Sequence, residues 1–256
     1  MAANFKEAQA VAGSSIGGQS GGSVVELNSP RDEDIGLLAE GWVFFAVKEE
    51  AQPFQRRHAS LGRSPPSANG QILLTGMGAC NARKSFQAAM DTKSALPGWI
   101  MTCGFAGGLD PALRLGDVGF DADLDFPLLE RFAVVGVRPW KFHCADSVAT
   151  TALEKAQLRQ LTQADAVEME SGVIRQLARL HGIPSATVRV ISDPADESLP
   201  LDFNSLMTPE MTLSSVRLAR QLLLGPWKIP ALLRFGWKTQ KAASCLAESL
   251  SATLAF

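Results

Sequence analysis

The chain has 256 residues, 46% of them hydrophobic and 20% charged, with a formal net charge of −2 and a pI near 6.0. These values fit one sizeable globular α/β domain and give no electrostatic basis for a nucleic-acid partner. No apolar run approaches the roughly 18 residues that a membrane-spanning helix needs.

Residues 1–40 read as a mobile N-terminal extension, and residues 41–256 as the folded domain. The opening "MAANFKEAQAVAGSSIGGQSGGS" lacks a basic start followed by an apolar core, so no secretory signal is expected. Its Gly/Ser content is that of a flexible tail. "WVFFAV" (42–47) is a short apolar run ending in charge, as a buried parallel strand would be. "ILLT" (72–75) and "WIMTCG" (99–104) repeat that character, each stopping at a glycine. Between them, "NARKSFQAAMDTKSAL" (81–96) places Ala82, Phe86, Ala89 and Met90 at helical spacing, with Asn81 as its N-cap.

"LRLGDV" (113–118) begins a further strand, and "FAVVGV" (132–137) reads as another. "ADAVEMESG" (164–172) runs from strand to helix, with Glu168 and Glu170 on one side of the strand by period-2 alternation. The helix that follows, "SGVIRQLARLHGIP" (171–184), puts Val173, Ile174, Leu177 and Ala178 on one stripe. Arg175 and Arg179 lie off it, and Gly182 with Pro184 mark the stop. "SATVRVISD" (185–193) is a central strand that delivers Asp193 at its carboxyl end. The last 45 residues read as mostly helical, interrupted by "GPWKIP" (225–230). Strand–helix alternation predicts one mostly parallel, mixed sheet with helices on both faces, and a ligand outside the carboxyl ends of the strands.

Several chemistries lack their residues. "TGMGACNARKS" (75–85) offers Gly76 and Gly78 after a strand, but Asn81 stands where a dinucleotide fingerprint needs a third glycine. No GxxxxGK[ST] occurs, which leaves no phosphate loop. Cys80, Cys103, Cys144 and Cys245 are widely spaced without a CxxC pair, so no zinc or disulfide framework is expected and a reduced cytoplasmic setting fits. His58, His143 and His181 are isolated and read as packing or surface residues.

Three co-linear segments carry a resemblance. "TCGFAGGLDPALRLGD" is similar to the glycine-rich strand end TGxAGGLxPxLxxGD of the nucleoside phosphorylase and nucleosidase superfamily. "AVEMESGVIRQLARLHGIPSATVRVISDPAD" resembles its VEMEx…VRxISDxAD block, and "FFAVKEEAQPF" its opening strand and acid-rich turn. Together they span roughly residues 42–204. The resemblance implies cleavage of the bond between a nucleobase and C1′ of ribose, through an oxocarbenium-like transition state. Methylthioadenosine/S-adenosylhomocysteine nucleosidases imply Asp193 as the acid that protonates the purine at N7, and Glu170 as acceptor of the 2′ and 3′ hydroxyls. They imply Glu50 as activator of the attacking water. Met169 would line the ribose site, Ser192 would support Asp193 or the base, and Glu168 would support Glu170. Gly104, Phe105, Ala106 and Gly107 would form the glycine-rich turn.

Val148 and Ala149, in "CADSVA" (144–149), fall in the loop that reads the base edge. Phe203, with Leu206 and Met207, would serve a 5′-substituent pocket. No cofactor or metal is implied. Thr102 stands where hexameric purine phosphorylases bind phosphate through an arginine, which favours water as nucleophile. Phosphate is the co-substrate under the alternative reading, a purine nucleoside phosphorylase, with Arg83 or Arg138 as candidate phosphate ligands. Hopanoid-associated phosphorylases, which act on adenosylhopane, share similar "ESG", "DPAD…LP" and "IPALLR" segments. A nucleoside-binding protein without turnover is the rival from another class. The partner is thus a small purine nucleoside, with a homodimer or higher homo-oligomer implied by the family. The tail, with Trp227, Phe235 and Trp237 among Lys228, Arg234, Lys238 and Lys241, reads as a terminal helix packed on the core or at a subunit interface. A membrane-surface role would suit only a lipid nucleoside.

Overall fold

The structure is a computed structural model and describes residues 41–60, 71–92 and 96–254. The expected extension, residues 1–40, lies outside the described residues. The elements run β1 (Gly41–Phe45), α1 (Lys48–Ser60), β2 (Gln71–Leu74), α2 (Ala79–Thr92), β3 (Trp99–Gly108) and β4 (Val118–Ala122). They continue with α3 (Leu129–Val134), β5 (Arg138–Pro139), β6 (Phe142–Cys144), α4 (Ala152–Thr162), β7 (Ala166–Glu168), α5 (Ser171–Leu180) and β8 (Ser185–Asp193). The chain closes through α6 (Phe203–Leu206), α7 (Ser215–Leu224), a 3₁₀ turn (Pro226–Lys228) and α8 (Ile229–Thr253).

The sheet has the order β2-β1-β3-β8-β4-β5, with β7 pairing β3 and β6 pairing β7. Its β2, β1, β3 and β8 strands are parallel, while β4 against β8 and β7 against β3 are antiparallel. This is the mostly parallel mixed sheet that strand–helix alternation predicts. Period-2 alternation in β1 explains the two-sided core. Val43 and Phe45 join Phe54, Trp99, Phe132, Leu246 and Leu250 on one face. Trp42 and Phe44 join Phe86, Ile100, Ile174 and Leu177 on the other. Strands covered on both faces read as continuous apolar runs.

Several local expectations are corrected. "FAVVGV" is not a strand: residues 129–134 form α3, and the chain turns at Gly136 with φ +77°. The run is set by Phe132, fully buried, whose ring stacks 4.4 Å from that of Phe120 and 5.9 Å from that of Phe126. That tertiary contact overrides the strand preference of the valines, and Val134 faces water. Asn81 is not an N-cap. The helix starts two residues earlier, and Asn81 Nδ2 donates to the carbonyls of Met77 (2.9 Å) and Glu210 (2.8 Å).

β3 does not stop at Gly104 but runs to Gly108. Arg175 is buried rather than solvated: it pairs with Asp121 and Asp123, and Asp123 in turn accepts from Ser185 N (2.9 Å) and Ser185 Oγ (2.7 Å). This network clamps α5 to the start of β8. Burial raises the Asp123 pKa, but the Ser185 hydroxyl and the Arg175 charge outweigh it and hold the carboxyl below its ordinary range.

Candidate active site

A cavity of about 220 Å³ opens at the carboxyl ends of β1, β3 and β8. Three of its walls are acids delivered by different elements: Glu50 from the first turn of α1, Glu170 from the entrance of α5, and Asp193 from the end of β8.

Asp193 owes its position to a break in register. Ala106 pairs Ile191 and Gly107 pairs Asp193, which leaves Ser192 as an extra residue on β8. A bulge cancels the alternation of successive side chains, and Ser192 and Asp193 both line the cavity. Ser192 Oγ donates to Asp193 Oδ1 at 2.5 Å. Lys155 Nζ, wholly buried on α4, lies 2.6 Å from Asp193 Oδ2 and donates to the carbonyls of Pro194 and Glu197, both at 2.8 Å. Burial pushes the Asp193 pKa up, and the Lys155 charge and its hydrogen bond only partly counter this.

Glu170 is not on the face of a strand. β7 ends at Glu168, and Glu170 sits at the N-terminal boundary of α5 with φ −125° and ψ −35°. Its Oε1 accepts from Gly78 N at 2.8 Å. The turn that presents this N–H requires left-handed backbone at Gly76 (φ +78°) and Gly78 (φ +83°), which glycine adopts without strain. The "TGMG" turn therefore serves the site through Glu170, and Met77 adds to the wall. Burial raises the Glu170 pKa to about 7; Arg189 opposes the rise, while Glu168 and Glu50 add to it.

Glu168 supports its neighbours. Its Oε2 accepts from Glu170 N (3.0 Å) and Ser171 N (2.8 Å), Oε1 accepts from Ser171 Oγ (2.7 Å), and Arg189 Nη2 lies 2.6 Å from Oε2. Although burial raises its pKa, the Arg189 charge and these hydrogen bonds outweigh it, and Glu168 stays below its ordinary value.

Glu49 is exposed and Glu50 buried, which fixes the register of the acidic pair. Glu50 Oε2 accepts from Ala46 N (3.0 Å) and Val47 N (3.2 Å), and Oε1 from Phe105 N (2.8 Å). Burial raises its pKa against these donors and Arg189. Gly104 does not line the cavity. A Cβ there would lie 2.7 Å from Glu50 Oε1, so this glycine makes room for a carboxylate rather than for a ligand's backbone contact.

Phe105, Ala106 and Gly107 form one wall, Val148 and Ala149 another, and Met169 a third. The backbone of Val148 is occupied: its N–H donates to Asn204 Oδ1 (3.0 Å) and its carbonyl accepts from Asn204 Nδ2 (2.9 Å). Phe203, Met207 and Phe235 close the apolar end, with the Phe203 and Phe235 rings 5.5 Å apart. Leu206 is fully buried behind them. Arg83 is exposed on α2, and Arg138 is exposed and paired with Asp117, so neither reaches the cavity.

Two functional candidates escaped sequence reading, Lys155 and Arg189. A lone charged residue in an amphipathic helix or a buried strand carries no marker of its partner. The signal for Arg189 was its setting inside the apolar run "TVRVIS". Its guanidinium donates to Thr102 Oγ1 at 3.0 Å, so a cation from β8 occupies the neighbourhood of Thr102 after all.

Residues 139–223 match the phosphorylase superfamily. The matched segment contains Val148, Lys155, Glu168, Glu170, Arg189, Asp193 and Phe203. Among solved structures, the fold is similar to that of futalosine hydrolase of Helicobacter pylori, at 17% identity, a TM-score of 0.59, and coverage of 85% of this chain and 98% of that one. It is also similar to 5′-methylthioadenosine/S-adenosylhomocysteine nucleosidase from Neisseria meningitidis in complex with methylthio-immucillin-A (19%, TM-score 0.58, 83% and 97%). A third such structure is the same enzyme from Colwellia psychrerythraea in complex with adenine (17%, TM-score 0.57, 84% and 93%). At these identities the likeness is one of fold. No helix among the described residues is long and apolar enough to cross a membrane, and no cluster of metal-ligating residues occurs among them.

Proposed function

We propose that this protein cleaves the N-glycosidic bond of a purine nucleoside, with a 5′-substituted adenosine as substrate and water as nucleophile. The observation that carries the reading is the convergence of Asp193, Glu170 and Glu50 on one cavity, each with its pKa raised by burial. In the reaction, the C1′–N9 bond breaks and its electron pair passes to the base. Asp193 gives N7 a proton. Lys155 fixes Oδ2 as an acceptor, so the proton sits on Oδ1, with the Ser192 hydroxyl turning to its other acceptor, the Ala106 carbonyl at 3.4 Å. Water bonds to C1′ and loses a proton to Glu50. A carboxylate with a pKa raised towards neutrality suits that step. Glu170 accepts from the ribose hydroxyls and faces the positive charge that develops on the sugar. The apolar end made by Phe203, Met207 and Phe235 suits a 5′ thioalkyl group.

Water is favoured over phosphate by charge. Glu50, Glu168 and Glu170 line the cavity, while Arg189, whose charge offsets theirs, is not among the residues lining it. A phosphate dianion would meet these glutamate carboxylates at the cavity wall.

The test is a panel of methylthioadenosine, adenosine, inosine and uridine in phosphate-free buffer, with free base quantified by chromatography. Release of adenine from methylthioadenosine, with ¹⁸O from labelled water in the sugar product, is expected. Release that requires phosphate and yields a sugar 1-phosphate would establish phosphorolysis. No release from any purine nucleoside would overturn the enzymatic reading in favour of a binding protein.

A further inference from the structure

Helix α7 is amphipathic but buries nothing. Four of its ten residues are leucine, another is valine, and no residue in it is buried. Residues 226–241 continue the pattern: none of them is buried either. Leu223 is 83% exposed, Trp227 73%, Leu233 69% and Trp237 63%. In α8 the exposed residues Ile229, Leu233 and Trp237 recur every four positions, an apolar stripe along three successive turns that faces water. The second half of the same helix does the opposite and buries Ala242, Ala243, Leu246, Ala247 and Leu250. The first half thus extends an apolar face with no protein opposite it among the described residues. A contiguous apolar surface of this kind marks a binding site rather than ordinary surface scatter.

Charge says what binds there. From Met211 to Ala247 the chain carries Arg217, Arg220, Lys228, Arg234, Lys238 and Lys241 and no Asp or Glu, in a protein whose net charge is −2. Lys238 is spent on Glu197, and Arg217 on the carbonyls of Ser205 and Met207. Arg220, Lys228, Arg234 and Lys241 make no ion pair among the described residues, and Lys241 lies over the Trp237 ring at 5.9 Å. Exposed tryptophan and leucine beside uncompensated cations is the composition of helices that lie in the headgroup region of an anionic bilayer. A second copy of this chain is disfavoured, because an isologous contact would set this cationic face against itself. Nucleic acid would use the cations and leave the aliphatic stripe in water.

We propose that the face formed by α7, the 3₁₀ turn and the first half of α8 docks on an anionic membrane surface. The same helix supplies Phe235 to the cavity, between outward-facing Leu233 and Trp237, and Lys238 ties it to the loop that follows Asp193. Docking would hold the apolar end of the cavity near the lipid surface.

Flotation of the full chain with vesicles tests this independently of turnover. Vesicles of equal parts phosphatidylcholine and phosphatidylglycerol should carry the protein up the gradient, and vesicles of phosphatidylcholine alone should not. Neutralising Arg220, Arg234 and Lys241 to Gln should weaken binding by roughly a hundredfold, about fivefold for each cation. Trp227→Ser with Trp237→Ser should abolish it, and thermal melting checks that the fold of each variant is intact. No flotation with the anionic vesicles would overturn the proposal, as would a double tryptophan variant that floats like the parent. So would sedimentation showing a dimer that the tryptophan variant dissociates. Because no substrate is used, failure of docking and failure of nucleoside cleavage are read separately.

Discussion

Lys155 Nζ lies 2.6 Å from Asp193 Oδ2, and both groups are buried. The pair joins the middle of the chain to the end of the last strand, and its lysine also binds the carbonyls of Pro194 and Glu197. It holds the proposed acid and the loop behind it in one arrangement.

Replacing Lys155 with Met should leave a buried carboxyl without its cation. Losing the buried cation and its hydrogen bonds to Asp193, Pro194 and Glu197 is destabilising, visible as a lowered midpoint in urea. Because the Lys155 charge lowers the Asp193 pKa, its loss should raise that pKa further and move the alkaline limb of kcat/KM to higher pH. Adding Asp193→Asn to Lys155→Met should restore part of the stability. A double variant no more stable than the single would contradict the pairing.

Glu170 has a folded pKa of about 7 against an ordinary 4.5. Ribose binding needs the ionised form, so kcat/KM should rise with pH through about 7. Glu170→Gln should erase the acid limb along with most of the activity. Stability runs the other way. A carboxyl raised on folding binds more protons when folded, so its contribution is intact below 4.5 and is lost as pH climbs to 7, on the order of 3 kcal/mol. Urea titrations of parent and Glu170→Gln across that window measure it, and parallel curves would remove Glu170 as the cause.

Gly104→Ala places a methyl carbon where Glu50 Oε1 now lies 2.7 Å away. Shifting a reacting group by about 1 Å can lower the rate roughly a hundredfold. Activity should fall by that order, and the melting temperature should fall as well, because Gly104 has φ +157° and the new methyl must displace the buried Glu50 carboxylate. An unchanged rate would separate Glu50 from the chemistry.

Much of the fold was legible because the central strands announce themselves. "WVFF" is apolar on both faces, as a strand sandwiched between helix layers must be, and "SATVRVIS" is buried along its whole length. "FAVVGV" misled because five apolar residues interrupted only by Gly136 carry no period, and only the Phe120 and Phe126 rings decide that Phe132 packs from a helix. In the site, Glu50, Glu170 and Asp193 were visible as part of a linear pattern, and the structure brings them together. Lys155 was not, since its partner is 38 residues away and its helix looks solvated. Nor could sequence show that Asn204 occupies the backbone of Val148, or that Gly104 serves Glu50, because both depend on contacts between distant segments.

The account rests on proton donation by Asp193. Single-turnover release of adenine from methylthioadenosine, with enzyme in excess and no phosphate, tests it by comparing the parent with Asp193→Asn. The account predicts release by the parent and a loss of about 10²–10⁴ in rate for the variant, with its melting curve retained. Equal rates for the two proteins would contradict it.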